Sequence, residues 1–211
     1  MSNAIIKVFF EIILASVFLA VNVEARAGSE VEHHSSDHKK VNAPAHCEDP
    51  SADSEAALKE FRPLAVKGDA RAQFELGYMY ERGKGVPQDY KESLSWFRKS
   101  AEQGNASAQF HLGQRYDIGN GVPQDYSEAA SWYRKSAEQG GTLAQIHLGF
   151  LYELGQGVRV DVIQAHKWYS LAALSNNMIA TQKKKAIEVG MTANEIKEAQ
   201  ALAGEWLVQH K

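Results

Sequence analysis

Residues 68–77 have the sequence GDARAQFELG, and the same pattern returns as GNASAQFHLG at 104–113 and as GGTLAQIHLG at 140–149. Each step is 36 residues. Aromatic residues follow every copy in fixed register, at Tyr80, Tyr116, Tyr152, Trp96, Trp132 and Trp168. Internal similarity with a period of about 20–50 residues is typical of solenoids and helical arrays. The sequence therefore predicts three stacked units, which span 68–103, 104–139 and 140–175.

Each unit has the pattern of two helices joined by a turn. In the first unit Ala72, Leu76 and Tyr80 lie on one stripe of a helix, which we call helix A. The segment 83–89, GKGVPQD, then breaks this helix, because glycine tolerates positive φ and the residue before proline prefers an extended backbone. Its final aspartate is suited to cap a second helix, helix B, which ends before Gly104.

Every predicted helix A contains an internal glycine, at Gly77, Gly113 and Gly149. Glycine inside a helix costs about 1 kcal/mol relative to alanine, so its recurrence needs a compensating gain. Small residues recur in helix B as well, at Ala101, Ala137 and Ala173. We therefore expect helix B to pack closely against helix A at the glycine, and we assign these glycines a structural role.

The combined pattern resembles the Sel1-like repeat. The resemblance is carried by Ala72, Leu76, Gly77, Tyr80, Gly83, Gly85, Val86 and Asp89, and most fully by Ala129, Trp132 and Tyr133. It implies an all-α fold, in which Sel1-like helix pairs stack into a right-handed α/α superhelical solenoid close to the tetratricopeptide arrangement. The third unit has Arg159 and Val160 where a proline is expected, which predicts a looser turn in the same fold.

Weaker copies of the pattern flank the three units, as expected for the capping elements of a solenoid. Leu58, Phe61 and Ala65 lie 36 residues before the helix B positions of the first unit, so 51–67 is predicted to be an amino-terminal capping helix. Residues 176–211 are predicted to form carboxyl-terminal capping helices. The last of these begins at a capping box, Thr192 to Glu195, and presents an apolar side to the stack.

Residues 1–27 have the layout of a secretory signal peptide, with Lys7 before an apolar run and two small-residue sites for cleavage, after Ala25 or Ala27. The run is too short for a preferred membrane span, although Glu11 within it leaves a retained anchor open. Residues 28–50 are predicted to be a disordered linker that contains histidines. We therefore expect a periplasmic or secreted protein with no stable membrane insertion after cleavage.

Composition excludes several classes of function. The chain has 211 residues, with 23 Lys and Arg against 26 Asp and Glu, and this net charge of −3 argues against nucleic acid as a partner. The single cysteine, Cys47, allows no intramolecular disulfide and no thiolate-rich zinc site. No sequence motif predicts a bound cofactor.

Two chemical alternatives remain open from the sequence. Residues 36–39, SDHK, fit the Ser-x-x-Lys nucleophile motif of penicillin-recognising enzymes, so a β-lactam or cell-wall hydrolase of the Sel1-like type is one alternative. The motif lies in the predicted linker, where a nucleophile and its base are not held together. A metal-binding periplasmic protein is the other, because the linker carries several histidines. We expect neither, and predict a protein that is not an enzyme.

By analogy with tetratricopeptide repeats, function is expected on side chains of the A helices that line the concave surface. The predicted protein-binding residues are Arg71, Phe74, Tyr78, Glu81, Arg82, Phe110, Gln114, Asp117, Ile146, Phe150 and Glu153, with Ser107, Ile118, Leu143 and Leu154 in the same series. The series changes from charged and aromatic to nearly apolar, which suggests a groove for a peptide or helix. Alternatively, Phe74, Phe110 and Ile146 turn inward and pack between repeats.

The sequence thus predicts an exported, monomeric, non-enzymatic adaptor that binds another protein in this groove. Its resemblance to exported Sel1-like proteins implies a role in envelope signalling or host interaction. His111 and His147 occupy equivalent positions on successive A helices and would form a ladder on one surface. Such positions more often have no special role than bind metal or sense pH.

Overall fold

Capping residues set where the helices of this chain begin and end. The computed structural model describes residues 50–210, and their side chains from Ser54 onward. Within that part of the chain the elements are nine helices: α1 Pro50–Val66, α2 Ala70–Arg82, α3 Tyr90–Glu102, α4 Ala106–Ile118, α5 Tyr126–Glu138, α6 Thr142–Leu154, α7 Val162–Ala173, α8 Met178–Glu188 and α9 Ala193–Gln209. The all-α solenoid of helix pairs predicted from the repeat is confirmed.

The repeated turn motif has the structure that its sequence predicts. Asp69 accepts a hydrogen bond from the amide of Ala72 at the start of α2, and Gly83 ends this helix in the left-handed conformation, at φ 67°. The looser turn expected in the third unit is not observed. Asp161 N–H donates to the Tyr152 carbonyl at 3.0 Å, the same distance as from Asp89 N–H to the Tyr80 carbonyl.

Helices pack in chain order, so that each A helix (α2, α4, α6) lies between the B helix of its own repeat and the B helix before it. Leu76, Leu112 and Leu148 are fully buried at these contacts. The internal glycines allow the predicted close approach of helix B, but the group that meets each glycine is an aromatic ring and not the alanine that the sequence suggested. A Cβ atom added at Gly113 would lie 2.7 Å from the ring of Tyr133, and one at Gly149 would lie 2.6 Å from the ring of Tyr169.

A hydrogen bond from arginine to tyrosine joins each B helix to the next A helix. Arg62 donates to the hydroxyl of Tyr80 at 3.0 Å, and Arg98 to Tyr116 and Arg134 to Tyr152 each at 2.7 Å. At the junction of α7 and α8 the link changes, and the fully buried His166 has its Nε2 2.8 Å from Oε1 of Glu188. The links at Tyr116 and Tyr152 each join two neighbouring repeats, and those at Tyr80 and Glu188 join the flanking helices to the first and third repeats.

The carboxyl-terminal helices depart from the alternating order. α8 occupies the place of a fourth A helix and packs on α7, but α9 also packs on α7. Where earlier A helices have Leu-Gly, α8 has Lys184 and Lys185. These long side chains do not allow the close packing of a B helix that the glycine allows. The buried Ala203 and the Trp206 ring of α9 instead join the core beside Trp168. The predicted capping box of α9 is present at Thr192 and Glu195.

Several predictions lie outside the described residues. These are the signal peptide at 1–27, the linker up to residue 49, the Ser-x-x-Lys motif at 36–39 and Cys47. Among the helices between residues 50 and 210, none combines the length and the apolar character needed to cross a membrane.

Candidate protein-binding surface

One stripe of each A helix forms a continuous surface, which we call the A-helix face. Its residues are spaced four, three and four apart, so they lie on one side of each helix. They are Arg71, Glu75, Tyr78 and Arg82 on α2; Ser107, His111, Gln114 and Ile118 on α4; Leu143, His147, Phe150 and Leu154 on α6; and Ile179 and Lys183 on α8.

An aromatic row runs along this face from α2 to α6, formed by Phe74, His111, Phe110, His147 and Phe150. Ring centroids are 5.6 Å apart from Phe74 to His111, 5.5 Å from His111 to Phe110 and 5.6 Å from Phe110 to His147. His147 lies 6.4 Å from Phe150, and the Lys183 ammonium group lies 4.4 Å from the Phe150 ring centroid. The two histidines therefore alternate with phenylalanines, instead of forming the ladder of their own that the sequence suggested.

His111 is the most enclosed titratable group of the row. Its ring stacks on Phe97, with centroids 5.1 Å apart. Burial lowers the pKa of His111 from 6.5, and the charges of Arg115 and Arg82 lower it further, while the Glu81 carboxylate acts in the opposite direction. The folded protein thus favours the neutral imidazole.

We expect His111 to make the protein less stable in acid. Because its pKa in the folded state lies below the unfolded value of 6.5, the unfolded chain binds the extra proton first. The free energy of unfolding should therefore fall as the pH drops through this value. His111→Phe keeps an aromatic ring and should lose less stability over the same range, measured by urea unfolding between about pH 7.5 and pH 5. Equal losses in the two proteins would contradict this assignment.

Three acidic residues lie beneath the row, and each is bound within the protein. The Tyr133 hydroxyl donates to Asp117 at 3.0 Å, and the Tyr169 hydroxyl donates to Glu153 at 2.6 Å. Burial is the main cause that raises the pKa of both tyrosines, and the neighbouring carboxylates add to it. Glu81 instead forms an ion pair with Arg115, from Oε1 to Nη2 at 2.9 Å. All three acids were predicted to bind a partner, and all three are engaged inside the protein: Asp117 and Glu153 within their own repeats, and Glu81 with the next repeat.

Arg115 was not recognised from the sequence as an important residue. It is only 2% exposed and stands where the other repeats have Met79 and Leu151. The contact between α2 and α4 explains why an arginine is present here. Phe97 occupies the position of Tyr133 and Tyr169 and lacks their hydroxyl, so Arg115 supplies the partner that Glu81 would otherwise lack. An arginine in a column of apolar residues was the signal that could have identified it.

The predicted site residues differ widely in exposure. Ile146 is only 4% exposed and packs with Ala172 and Ala180 where α8 covers it, so the prediction that it lines the surface is wrong. The half-buried Phe74 and Phe110 also pack against the core, as the alternative interpretation proposed. Arg71 and Arg82 are exposed, and the predicted residues that remain half-buried are Tyr78, Glu81, Gln114, Asp117, Phe150 and Glu153.

Three large apolar side chains of the A-helix face are open to solvent. Ile118 is 54% exposed, Leu143 is 52% exposed and Ile179 is 43% exposed. Leu143 shares its stripe of α6 with the half-buried Phe150 of the aromatic row, and Ile118 shares its stripe of α4 with His111. Covering water-exposed apolar side chains and partly buried rings with another chain is favourable, because it removes apolar surface from water.

Two features of the described residues bear on metal binding and on catalysis. Between residues 50 and 210 no group of three His, Cys, Asp or Glu side chains is placed to hold a metal ion. Ser170 Oγ lies 3.3 Å from His166 Nδ1, and with Glu188 they form a chain of contacts like that of a catalytic triad. However, Ser170 and His166 share one helix, and this imidazole is fully buried in the link between α7 and α8. We therefore assign the three residues a structural role.

Comparison with known proteins defines the family. The sequence model of the Sel1 repeat matches residues 70–105, 106–141 and 142–177. The chain is also 39% identical to a Sel1 repeat protein from Oxalobacter formigenes, whose structure it matches with a TM-score of 0.58 over 61% of this chain and 97% of that one. This protein therefore belongs to the Sel1 repeat family.

A second solved structure is that of a protective antigen present in uropathogenic Escherichia coli strains, which displays the same repeat fold. The two chains are 37% identical, with a TM-score of 0.68 over 74% of this chain. This chain spans only 33% of the length of that structure. A search of curated proteins found no match.

Proposed function

We propose that this protein is a non-catalytic adaptor that binds a segment of another protein along the A-helix face. Sel1 repeat proteins generally bind other proteins and are typically scaffolds without enzymatic activity. The observation that carries the proposal is the exposure of Ile118, Leu143 and Ile179 along one face of successive A helices. A partner that covers these side chains would also shield the open edges of the aromatic row.

The proposed setting is the bacterial envelope or the outside of the cell. The signal peptide predicted at 1–27 supports export. The E. coli relative supports it further, since that protein is a protective antigen. We accordingly propose that the protein acts as a monomer in envelope signalling or in contact with a host.

The test compares two triple variants, in each of which three exposed aliphatic side chains are replaced by serine. In the first, Ile118, Leu143 and Ile179 are each replaced by serine. In the second, Val66, Val160 and Val208, which are 71%, 62% and 70% exposed and lie off the A-helix face, are replaced by serine. All six side chains are exposed, so we expect both variants to keep the helical circular dichroism of the wild type.

Immobilised wild type and both variants are then used to capture proteins from envelope extract and culture medium. We expect a protein that the wild type and the valine variant retain to be lost from the A-helix variant, at least tenfold by quantitative mass spectrometry, because covering three apolar side chains supplies more than about 1.4 kcal/mol. Equal retention by all three proteins would place binding elsewhere and contradict the proposal.

A further inference from the structure

The A-helix face is electrically polarised. At its α2 end Arg71 and Arg82 are exposed, and the Arg82 guanidinium and the Lys84 ammonium group lie 5.4 Å and 5.7 Å from the Tyr78 ring centroid. Among the described residues none of these three cations forms an ion pair within 4.0 Å. This positive end contrasts with a chain whose net charge is −3.

The acidic residues of the same region do not cancel this charge. Glu81 is paired with Arg115, and Asp117 and Glu153 accept hydrogen bonds from tyrosines. The half-buried Glu75, between Arg71 and Tyr78, is the single carboxylate on the α2 stripe of the A-helix face. Three cations against this single acid leave a positive excess at the α2 end.

The other end of the face is apolar. Leu143, Phe150 and Leu154 form the stripe of α6 together with His147, and Ile179 begins the stripe of α8. The cation on this stripe is already engaged, since Lys183 Nζ lies 3.7 Å from Glu153 Oε2 and packs on the Phe150 ring. Between the two ends α4 contributes polar side chains and the exposed Ile118.

We infer that the partner segment is acidic at one end and apolar at the other. Its carboxylates would meet Arg71, Arg82 and Lys84 over α2, and its apolar side chains would meet Leu143, Phe150 and Ile179 over α6 and α8. Complementary charge at one end fixes the direction in which the segment lies, and apolar burial at the other supplies affinity. This inference rests on the proposed function and names the chemistry of the partner.

The length of the segment follows from the helix spacing. Side chains of successive A helices reach each other, as Glu81 reaches Arg115, Asp117 reaches His147 and Glu153 reaches Lys183. A spacing of about 10 Å, as between helices in contact, makes the three steps from α2 to α8 roughly 30 Å. An extended chain rises about 3.3 Å per residue, so about nine residues reach across the face. A random library of displayed peptides of about twelve residues therefore covers the full length of the site.

The experiment selects such a library on the full chain, on Arg71→Glu/Arg82→Glu and on the control Lys91→Glu/Lys197→Glu. The control reverses two exposed lysines on α3 and α9, so both variants have the same net charge. On wild type and control we expect enrichment of Asp and Glu near one end of the peptides and of Leu, Ile and Phe near the other. On the arginine variant the acidic preference should disappear or change to Lys and Arg.

An individual acidic peptide from the wild-type selection should bind the arginine variant about tenfold more weakly than the control variant at low salt. Apolar peptides without an acidic bias, captured equally by all three proteins and lost from the Ile118, Leu143 and Ile179 serine variant, would overturn this inference and leave the proposed function in place. If no peptide is enriched, or if the same peptides are still enriched on the Ile118, Leu143 and Ile179 serine variant, this inference and the proposed function are both wrong.

Discussion

Gly157→Ala is expected to lower the free energy of unfolding by about 3 kcal/mol. Gly157 has a φ of 66°, a conformation that costs an alanine about 1–2 kcal/mol. A Cβ atom there would also overlap the carbonyl group of Tyr126 and the amide nitrogen of Ser127 at the start of α5. These are backbone atoms of a capped helix and cannot rotate away, so the turn of the third repeat must move off the second repeat.

Gly121→Ala provides a matched control within the same chain. Gly121 lies one repeat earlier in the same register, with a φ of 79°, but the nearest atom to its added Cβ is the Tyr90 carbonyl oxygen at 3.5 Å, an ordinary contact. We expect this variant to lose only the conformational cost, about 1 kcal/mol. The difference between the two variants isolates the overlap between repeats.

Guanidinium unfolding followed by circular dichroism measures both losses. Because repeat proteins are stabilised by interfaces between neighbours, the Gly157 variant should also become sensitive to proteolysis near the junction of α5 and α6. If Gly157→Ala and Gly121→Ala lose the same stability, the contact between the third turn and α5 does not hold the repeats together.

Glu81→Ala is expected to destabilise the protein by about 3 kcal/mol. Arg115 is 2% exposed, and Glu81 is its ion-pair partner, with Nη2 to Oε1 at 2.9 Å. Removing the carboxylate leaves a buried guanidinium charge without compensation, which costs far more than the pair itself contributes. Asp117→Ala should cost less, about 1–2 kcal/mol, because it leaves a neutral hydroxyl of Tyr133 unpaired.

The double variant Glu81→Ala/Arg115→Met tests the cause of this loss. Met79 and Leu151 show that an apolar side chain fits this register in the neighbouring repeats. With the buried charge removed, we expect the double variant to return to within about 1 kcal/mol of the wild type. Urea unfolding of the wild type, Glu81→Ala, Arg115→Met and the double variant completes the double-mutant cycle. A double variant no more stable than Glu81→Ala would show that Glu81 stabilises the protein by another contact.

Much of the fold could be predicted because its determinants are local. Asp69 caps α2 and Gly83 ends it, and these residues act within a few positions of the chain. The close contact at Gly113 was also predictable, since a costly glycine that recurs every 36 residues implies close packing. The packing of α9 on α7 could not be predicted, because it depends on α8 having Lys184 and Lys185 in place of Leu-Gly.

The candidate surface was predicted only in outline. Helical spacing placed Arg71, Arg82 and Leu143 on one stripe, and the structure leaves all three exposed, because residues four and three apart share a side of any helix. The same spacing could not show that Ile146 is covered by α8, since its neighbours Ala172 and Ala180 are distant in sequence.

The sequence by itself determined the repeat, the helix pairs, the caps and the change of the A-helix stripe from charged to apolar. The tertiary structure alone decided which polar groups are consumed internally, as Glu81 is by Arg115 and Asp117 by Tyr133. The physical reason is that periodicity and capping act within one helix, whereas a carboxylate is free or bound according to side chains on neighbouring helices. Only the stacking of the helices brings those side chains within hydrogen-bonding distance.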